Sequence, residues 1–115
     1  MAADQLLFSY GTLQYPEVQL DTFGRLLDSE DDVLPGYTVD YVEIEDRRVV
    51  DLSGASVHPL VRVTHSPRDK VIGKVLWVTE DELEASDEYE VSLYRRVAVR
   101  LASGRDAWVY VANRG

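Results

Sequence analysis

Val71-Ile72-Gly73-Lys74-Val75-Leu76-Trp77-Val78-Thr79-Glu80-Asp81-Glu82 contains the clearest strand in the chain and, directly behind it, the start of a helix. Val71, Gly73, Val75 and Trp77 alternate with Ile72, Lys74, Leu76 and Val78, the period that sends successive side chains to opposite faces of a sheet. Thr79-Glu80-Asp81-Glu82 then has the form of a capping box. The threonine hydroxyl accepts a bond from a free helix amide, and Glu82 reaches back to the cap. A short helix over about 80–88 is expected to follow.

Upstream, Leu6-Leu7-Phe8-Ser9 reads as a short buried strand stopped by Gly11, with Tyr10-Gly11-Thr12-Leu13 as a turn. Pro16 suits the first position of a helix, and Glu17 favours its dipole. Leu20, Phe23 and Leu27 follow at helical spacing, with Leu26 adjacent, which predicts a helix near 16–28. Ser29 to Asp32 reads as a solvated acidic connection, and Leu34-Pro35-Gly36 as a turn. Tyr37, Val39 and Tyr41 then share one strand face, with Val42 and Ile44 on the other. Glu45-Asp46-Arg47-Arg48 is a polar connection, Val49 to Leu52 a further short strand, and Ser53-Gly54-Ala55-Ser56 a loop. Leu60-Val61-Arg62-Val63 is a strand entered through Pro59, and Ser66-Pro67-Arg68-Asp69 a turn. Downstream, Arg96 to Leu101 and Ala107 to Val111 form a hairpin joined by Ser103-Gly104-Arg105-Asp106. No repeat, low-complexity segment or linker interrupts the chain. Most connections are too short for parallel crossovers. The expected fold is therefore one α+β domain over residues 1–115, a small mainly antiparallel β-barrel flanked by two helices. Closure would remove exposed strand edges.

Composition narrows the function. The chain has 115 residues, 45% of them hydrophobic, enough for one modest core. It has no cysteine, which excludes a disulfide framework, a thiolate zinc site and a cysteine nucleophile. The formal net charge of -9 disfavours nucleic acid and anionic membranes as partners. No apolar run has the length of a membrane span, and Met1-Ala2-Ala3-Asp4-Gln5 lacks a basic leader region, so a cytoplasmic location is expected.

Several familiar chemistries are missing. His58 and His65 are the only imidazoles; neither belongs to an HExxH pattern, and His58 before Pro59 reads as structural. No GxSxG elbow, P-loop or GxGxxG exists. The acidic run Asp28 to Asp32 lacks the glycine and terminal glutamate of a calcium loop. No metal and no organic cofactor is expected. What remains is the glycine turn behind the first strand and the carboxylates around Glu90. By themselves these read as a backbone requirement and a solvated helix face.

Phe8-Ser9-Tyr10-Gly11-Thr12-Leu13 resembles the tyrosine-glycine-serine/threonine-leucine loop that opens members of the gamma-glutamylcyclotransferase-like family. Ser86-Asp87-Glu88-Tyr89-Glu90, followed by Tyr94-Arg95-Arg96-Val97, resembles that family's aspartate, aromatic and catalytic glutamate before a tyrosine and arginine entering a strand. Leu34-Pro35-Gly36-Tyr37, His58-Pro59-Leu60-Val61 and Val71-Ile72-Gly73-Lys74-Val75 stand where the family has its proline-glycine turn, strand entry and glycine strand. The likeness runs from about Leu6 to Val111. Val91 after the glutamate and Lys74 after the glycine depart from many members, and both bear on substrate preference.

The resemblance implies a small β-barrel with flanking helices, and a reaction. The α-amine of a γ-glutamyl group attacks its own γ-carbonyl, 5-oxoproline forms, and the attached amine leaves. The expected partner is thus a small γ-glutamyl substrate. Glu90 is the expected general base and then acid, with its pKa raised by burial. The backbone amides of Tyr10, Gly11, Thr12 and Leu13 are the expected anion donors, with Thr12 adding a hydroxyl. Tyr94 is a candidate for substrate contact or for the core, and Arg95 for a carboxylate or for the surface. The alternative is a non-catalytic module that binds a small ligand on the same fold.

Overall fold

The computed structural model describes residues 3–43, 57–90 and 94–112, with the side chains of Val42, Glu43, Val57, His58 and Glu90 outside that set. In chain order the elements are β1 (Gln5–Ser9), a single 3-10 turn (Thr12–Gln14), α1 (Pro16–Phe23), β2 (Ser29–Pro35), β3 (Tyr37–Glu43), β4 (Val57–Val63), β5 (Lys70–Val78), α2 (Glu80–Glu90), β6 (Tyr94–Arg100) and β7 (Asp106–Ala112). The expected strand at Val49–Leu52, with Ile44, the polar connection at Glu45–Arg48 and the loop at Ser53–Ser56, lies outside the described residues.

The strands make one sheet in the order β2-β5-β1-β7-β4-β3, with β6 on β7. β5 pairs antiparallel with β1 and β2, and its alternation is realised as read. Val71, Val75 and Trp77 join a core with Phe8, Leu34, Val61 and Val109 on the concave side of the sheet. Leu76 and Val78 face a second core with Leu7, Leu13, Leu27, Leu83 and Tyr110, covered by the helices. Each face thus buries its own apolar set, which fixes the strand register.

β7 is the branch point. β6 pairs with it from Tyr94↔Ala112 to Arg100↔Asp106. A strand has two edges, so β1 and β4 must share the other one. They do so in parallel, β1 at Leu7↔Trp108 and β4 at Val61↔Val111.

The α+β class is as expected, but the barrel is not closed. β2 and β3 stand at opposite ends of the ladder and are joined through Gly36 alone. The shortest common hairpins need two loop residues, so one residue turns the strands apart instead of pairing them. Gly36 takes φ 79°, donates to the Asp69 carbonyl at 2.8 Å, and accepts from the amides of Thr64 and His65 at 2.8 and 3.2 Å.

The first helix is shorter than its apolar spacing suggested. It stops at Phe23 because Gly24 adopts φ 75° and its amide returns to the Leu20 carbonyl at 2.9 Å. Leu20 and Leu26 are exposed, whereas Leu27 is buried beyond the helix. Gln19, buried within α1, donates to the Leu13 carbonyl at 2.9 Å and accepts from the Leu27 amide at 3.0 Å. One side chain therefore fastens the 3-10 turn and the helix exit together. The capping box of α2 forms reciprocally: Glu82 N to Thr79 Oγ1 is 3.1 Å, and Thr79 N to Glu82 Oε1 is 2.9 Å. Arg25 adds two bonds of 2.8 Å to the same carboxylate.

The acidic run is not a solvated connection. Ser29 to Asp32 belongs to β2, an edge strand paired with β5 from Ser29↔Leu76 onward. Exposed Glu30 and Asp31 put charge on that edge, which deters addition of another strand. Asp32 is buried. It accepts from Ser103 Oγ at 2.6 Å, from its neighbour's amide at Val33 at 2.8 Å and from Arg105 at 3.3 Å. Burial alone would raise its carboxyl pKa; the Ser103, Val33 and Arg105 donors outweigh that and hold it below the ordinary aspartate range. The side chain ties β2 to the turn of the β6–β7 hairpin.

Two predictions follow from this packing. A Cβ added at Gly73 would lie 2.4 Å from the Ser9 carbonyl oxygen and 2.8 Å from the Phe8 ring. Gly73→Ala should cost about 3 kcal/mol in urea unfolding; an unchanged midpoint would show that β1 and β5 have room to separate. For Asp32, a depressed folded pKa means stability that is present above the unfolded value, about 3.9, and is lost as pH falls through the folded one. Asp32→Asn should lower the melting temperature at neutral pH and flatten its fall below about pH 4. Parallel melting curves for the two proteins across that range would refute the assignment.

Candidate active site

A gap in the sheet makes the site. β1 ends at Ser9, and upstream of Val61 the inner edge of β4 has no strand beside it among the described residues. Pro59 lacks an amide hydrogen, and its carbonyl accepts from the Tyr94 hydroxyl at 3.0 Å. The Tyr10 hydroxyl donates to the Tyr110 carbonyl at 2.7 Å and accepts from the Val61 amide at 3.4 Å. Two tyrosine hydroxyls thus serve backbone groups that a ladder would otherwise pair.

Tyr10, Gly11, Thr12, Leu13 and Tyr94, all singled out from the sequence, line one cavity there, together with Phe8, Ser9, Pro59 and Tyr110. It is a half-open cavity of about 30 Å³, room for a group the size of a carboxylate. Gly11 has φ -135° and ψ -145°, so it is not held there by a left-handed conformation. A Cβ at Gly11 would stand 3.6 Å from Pro59 Cγ, in ordinary contact. Glycine keeps the cavity wide.

The 3-10 turn starts inside this cavity. Its internal bonds begin with the Gln14 amide to the Gly11 carbonyl at 3.2 Å and the Tyr15 amide to the Thr12 carbonyl at 2.9 Å. The amides of Thr12 and Leu13 come before them, and neither has an acceptor among the described residues. The Gly11 amide has only a long contact, 3.5 Å, to Ser9 Oγ. This is the donor set that suits an anion or an oxyanion.

The C-terminal end of α2 reaches the same loop. Thr12 Oγ1 and the Tyr89 hydroxyl are 2.7 Å apart, so the hydroxyl assigned to substrate contacts a helix residue in this structure. Glu90 is the next residue and the last of α2; its side chain lies outside the described residues. Glu84 and Glu88 are exposed, as a solvated helix face requires.

A second network holds the helix to the sheet. Ser86 is fully buried, and its single hydroxyl proton is divided between the Tyr110 hydroxyl at 2.6 Å and the Leu83 carbonyl at 2.8 Å. That hydroxyl donates to Asp87 at 2.6 Å, and Asp87 takes two further bonds from Arg96 at 2.9 and 3.0 Å. The Arg96 guanidinium lies 4.5 Å over the Trp108 ring. Burial alone would raise the Asp87 carboxyl pKa; Arg96 and Tyr110 outweigh it and keep the group below the ordinary range. Asp87 is therefore an anchored anion and a poor proton carrier.

Sequence reasoning left Tyr110, Pro59 and Tyr89 without a role at the site. Tyr110 carried one usable signal. Ala107, Val109 and Val111 fill the concave face, so Trp108 and Tyr110 must bury their rings on the other, where a hydroxyl needs a partner. Among the described residues, no group of three metal-ligating side chains occurs, and no helix is long and apolar enough to cross a membrane.

The family described as Gamma-glutamyl cyclotransferase, AIG2-like, matches residues 7–115. No curated protein matches the chain in sequence. A protein from Arabidopsis thaliana solved in solution is 25% identical at TM-score 0.71, over 95% of this chain and 62% of that one. A second Arabidopsis protein is 24% identical at TM-score 0.72, over 100% of this chain and 76% of its own. A protein named gamma-glutamyl cyclotransferase aligns at TM-score 0.68 with 18% identity, over 94% of this chain and 66% of its own. The chain thus spans less than two thirds of the first and third of these proteins, and the second and third likenesses speak to the fold. With the match running from Leu7, the third residue of β1, to residue 115, the chain belongs to the gamma-glutamyl cyclotransferase, AIG2-like family.

Proposed function

We propose that the protein converts a γ-glutamyl amine or peptide into 5-oxoproline and a free amine, with Glu90 as the acid–base group. One observation supports this above the others: the 2.7 Å bond between Thr12 and Tyr89 joins the amide-bearing loop to the helix end that carries Glu90. An anion anchor and a carboxylate base must converge for this chemistry, because the glutamyl group is only a few bonds long.

The steps follow from the residues. Glu90 takes a proton from the substrate α-ammonium, and the freed nitrogen attacks the γ-carbonyl carbon. The attack is intramolecular, so positioning supplies much of the rate. The amides of Thr12 and Leu13 hold the negative charge that develops on the carbonyl oxygen, or anchor the α-carboxylate. Glu90 gives its proton to the leaving nitrogen as the carbon–nitrogen bond breaks, takes the second proton from the ring nitrogen as the lactam closes, and passes it to the departing amine, which leaves as an ammonium. Asp87 cannot stand in for it, being committed to Arg96 and Tyr110. The domain, residues 1–115, supplies both halves of this site from its own chain.

The assay measures 5-oxoproline release across γ-glutamyl amines and peptides. Glu90→Gln should lower kcat by about 10³ with KM little changed, while Glu84→Gln and Glu88→Gln stay near wild type. Full turnover by Glu90→Gln would remove that residue from the chemistry. A wild type that binds 5-oxoproline but turns over no substrate would instead identify a ligand-binding module. Gly11→Ala should keep the melting temperature and raise KM by about tenfold or more, because a methyl fills much of a small cavity. Unchanged KM would place the substrate elsewhere.

A further inference from the structure

A second and larger hollow lies against β3, β4, β6 and β7 and shares no lining residue with the loop cavity. Pro59 and Tyr94 face the loop cavity, while the residues next to them, Leu60 and Arg95, line this groove. Its volume is about 430 Å³, within the range of small-molecule sites. Tyr37, Leu60, Val61, Val63, Val97 and Val111 supply an apolar lining. It exists because the barrel is open: among the described residues, β3 pairs only with β4 and β6 only with β7.

The charges there are unevenly matched. Arg62 is held by Asp40 at 2.8 Å, so that pair is neutral as a unit. Arg95 lies opposite Val111 in the β6–β7 ladder and two residues before Val97, on the concave face with both. It is exposed, and it has no hydrogen-bond or ion-pair partner among the described residues. In a chain of net charge -9, the groove offers one unmatched positive charge at the margin of an apolar surface. A guanidinium there presents paired donors that fit a carboxylate in bidentate fashion. One charge suits a monoanion better than a phosphate dianion.

We infer that this groove, formed by β3 and β4 on one side and β6 and β7 on the other, is a binding site for a small molecule with one carboxylate on an apolar body. Arg95 takes the carboxylate, and Tyr37, Val61, Val63, Val97 and Val111 take the apolar part. The site is separate from the reaction cavity, and its occupancy is read without turnover.

The test is titration of the isotope-labelled protein with phenylbutyrate, followed by amide resonances, beside the matched phenylbutanol and phenylbutylamine. Saturable shifts should centre on Val61, Val63, Val97 and Ala98, with the carboxylate binding most tightly. Arg95→Gln, at an exposed position, should weaken phenylbutyrate by about tenfold or more and leave phenylbutanol unchanged. Equal binding of the acid and the alcohol, or no saturable shift, would overturn the inference. So would shifts centred on Thr12 and Leu13, which mark entry into the reaction cavity. Shifts at the groove that track protein concentration without ligand would also overturn it, by making a second copy of the chain the occupant.

Discussion

β7 has two edges and three neighbours. With β6 along the whole of one edge, β1 and β4 divide the other, one meeting it at Trp108 and the other at Val111. Neither can continue without displacing the other, so the sheet contains a gap with backbone groups on both sides. Those groups must be satisfied, and the Tyr10 and Tyr94 hydroxyls do so from within the gap. The cavity, the loop that crosses it and the aromatic lining all descend from that one conflict over an edge.

The gap also explains why the helix matters. The far end of α2, which closes at Glu90, is carried to the loop beside the gap by the bond from Tyr89 to Thr12. Three sets of contacts fix that helix: the capping box and Arg25 at its start, Ser86 and Asp87 on Tyr110 in its middle, and Tyr89 on Thr12 at its end. Tyr110 is the junction. Its hydroxyl holds the helix, its carbonyl holds Tyr10, and its ring meets Tyr94 edge-on at a centroid distance of 6.5 Å. The anion at Asp87 is stable in this setting because the donors around it exceed the loss of water.

What could be read from the sequence was what is local. The Thr79–Glu82 box needs only its own four residues, and it forms as written. β5 alternates because a half-buried strand must. The hairpin of β6 and β7 is set by its turn. The loop at Tyr10–Leu13 was singled out through family resemblance, and its residues do line one cavity with Tyr94. Other features were hidden because their cause lies far along the chain. Asp32 looked solvated because its partners, Ser103 and Arg105, are 71 and 73 residues away along the chain. The helix at Pro16 looked long because Leu26 and Leu27 keep the spacing, while Gly24 breaks the backbone. Gly73 was visible as a glycine, but the reason for it, the Ser9 carbonyl, belongs to another strand. The alternation of β7 foretold a buried Tyr110 ring, but not its partners, Ser86 and Asp87, which are 24 and 23 residues away on α2.

The join at Gly36 has a mechanical meaning. In a closed barrel a continuous ladder resists splaying, and every opening movement breaks a row of bonds. Here β2 and β3 are joined by one backbone linkage at φ 79°, with bonds to Asp69, Thr64 and His65. β2 has a second fastening, through Asp32 and the Val33 carbonyl, to the turn of the β6–β7 hairpin. The fold is a cuff stitched twice along β2, and among the described residues no ladder joins β3 to β6, so a change in the width of that mouth breaks no ladder bond.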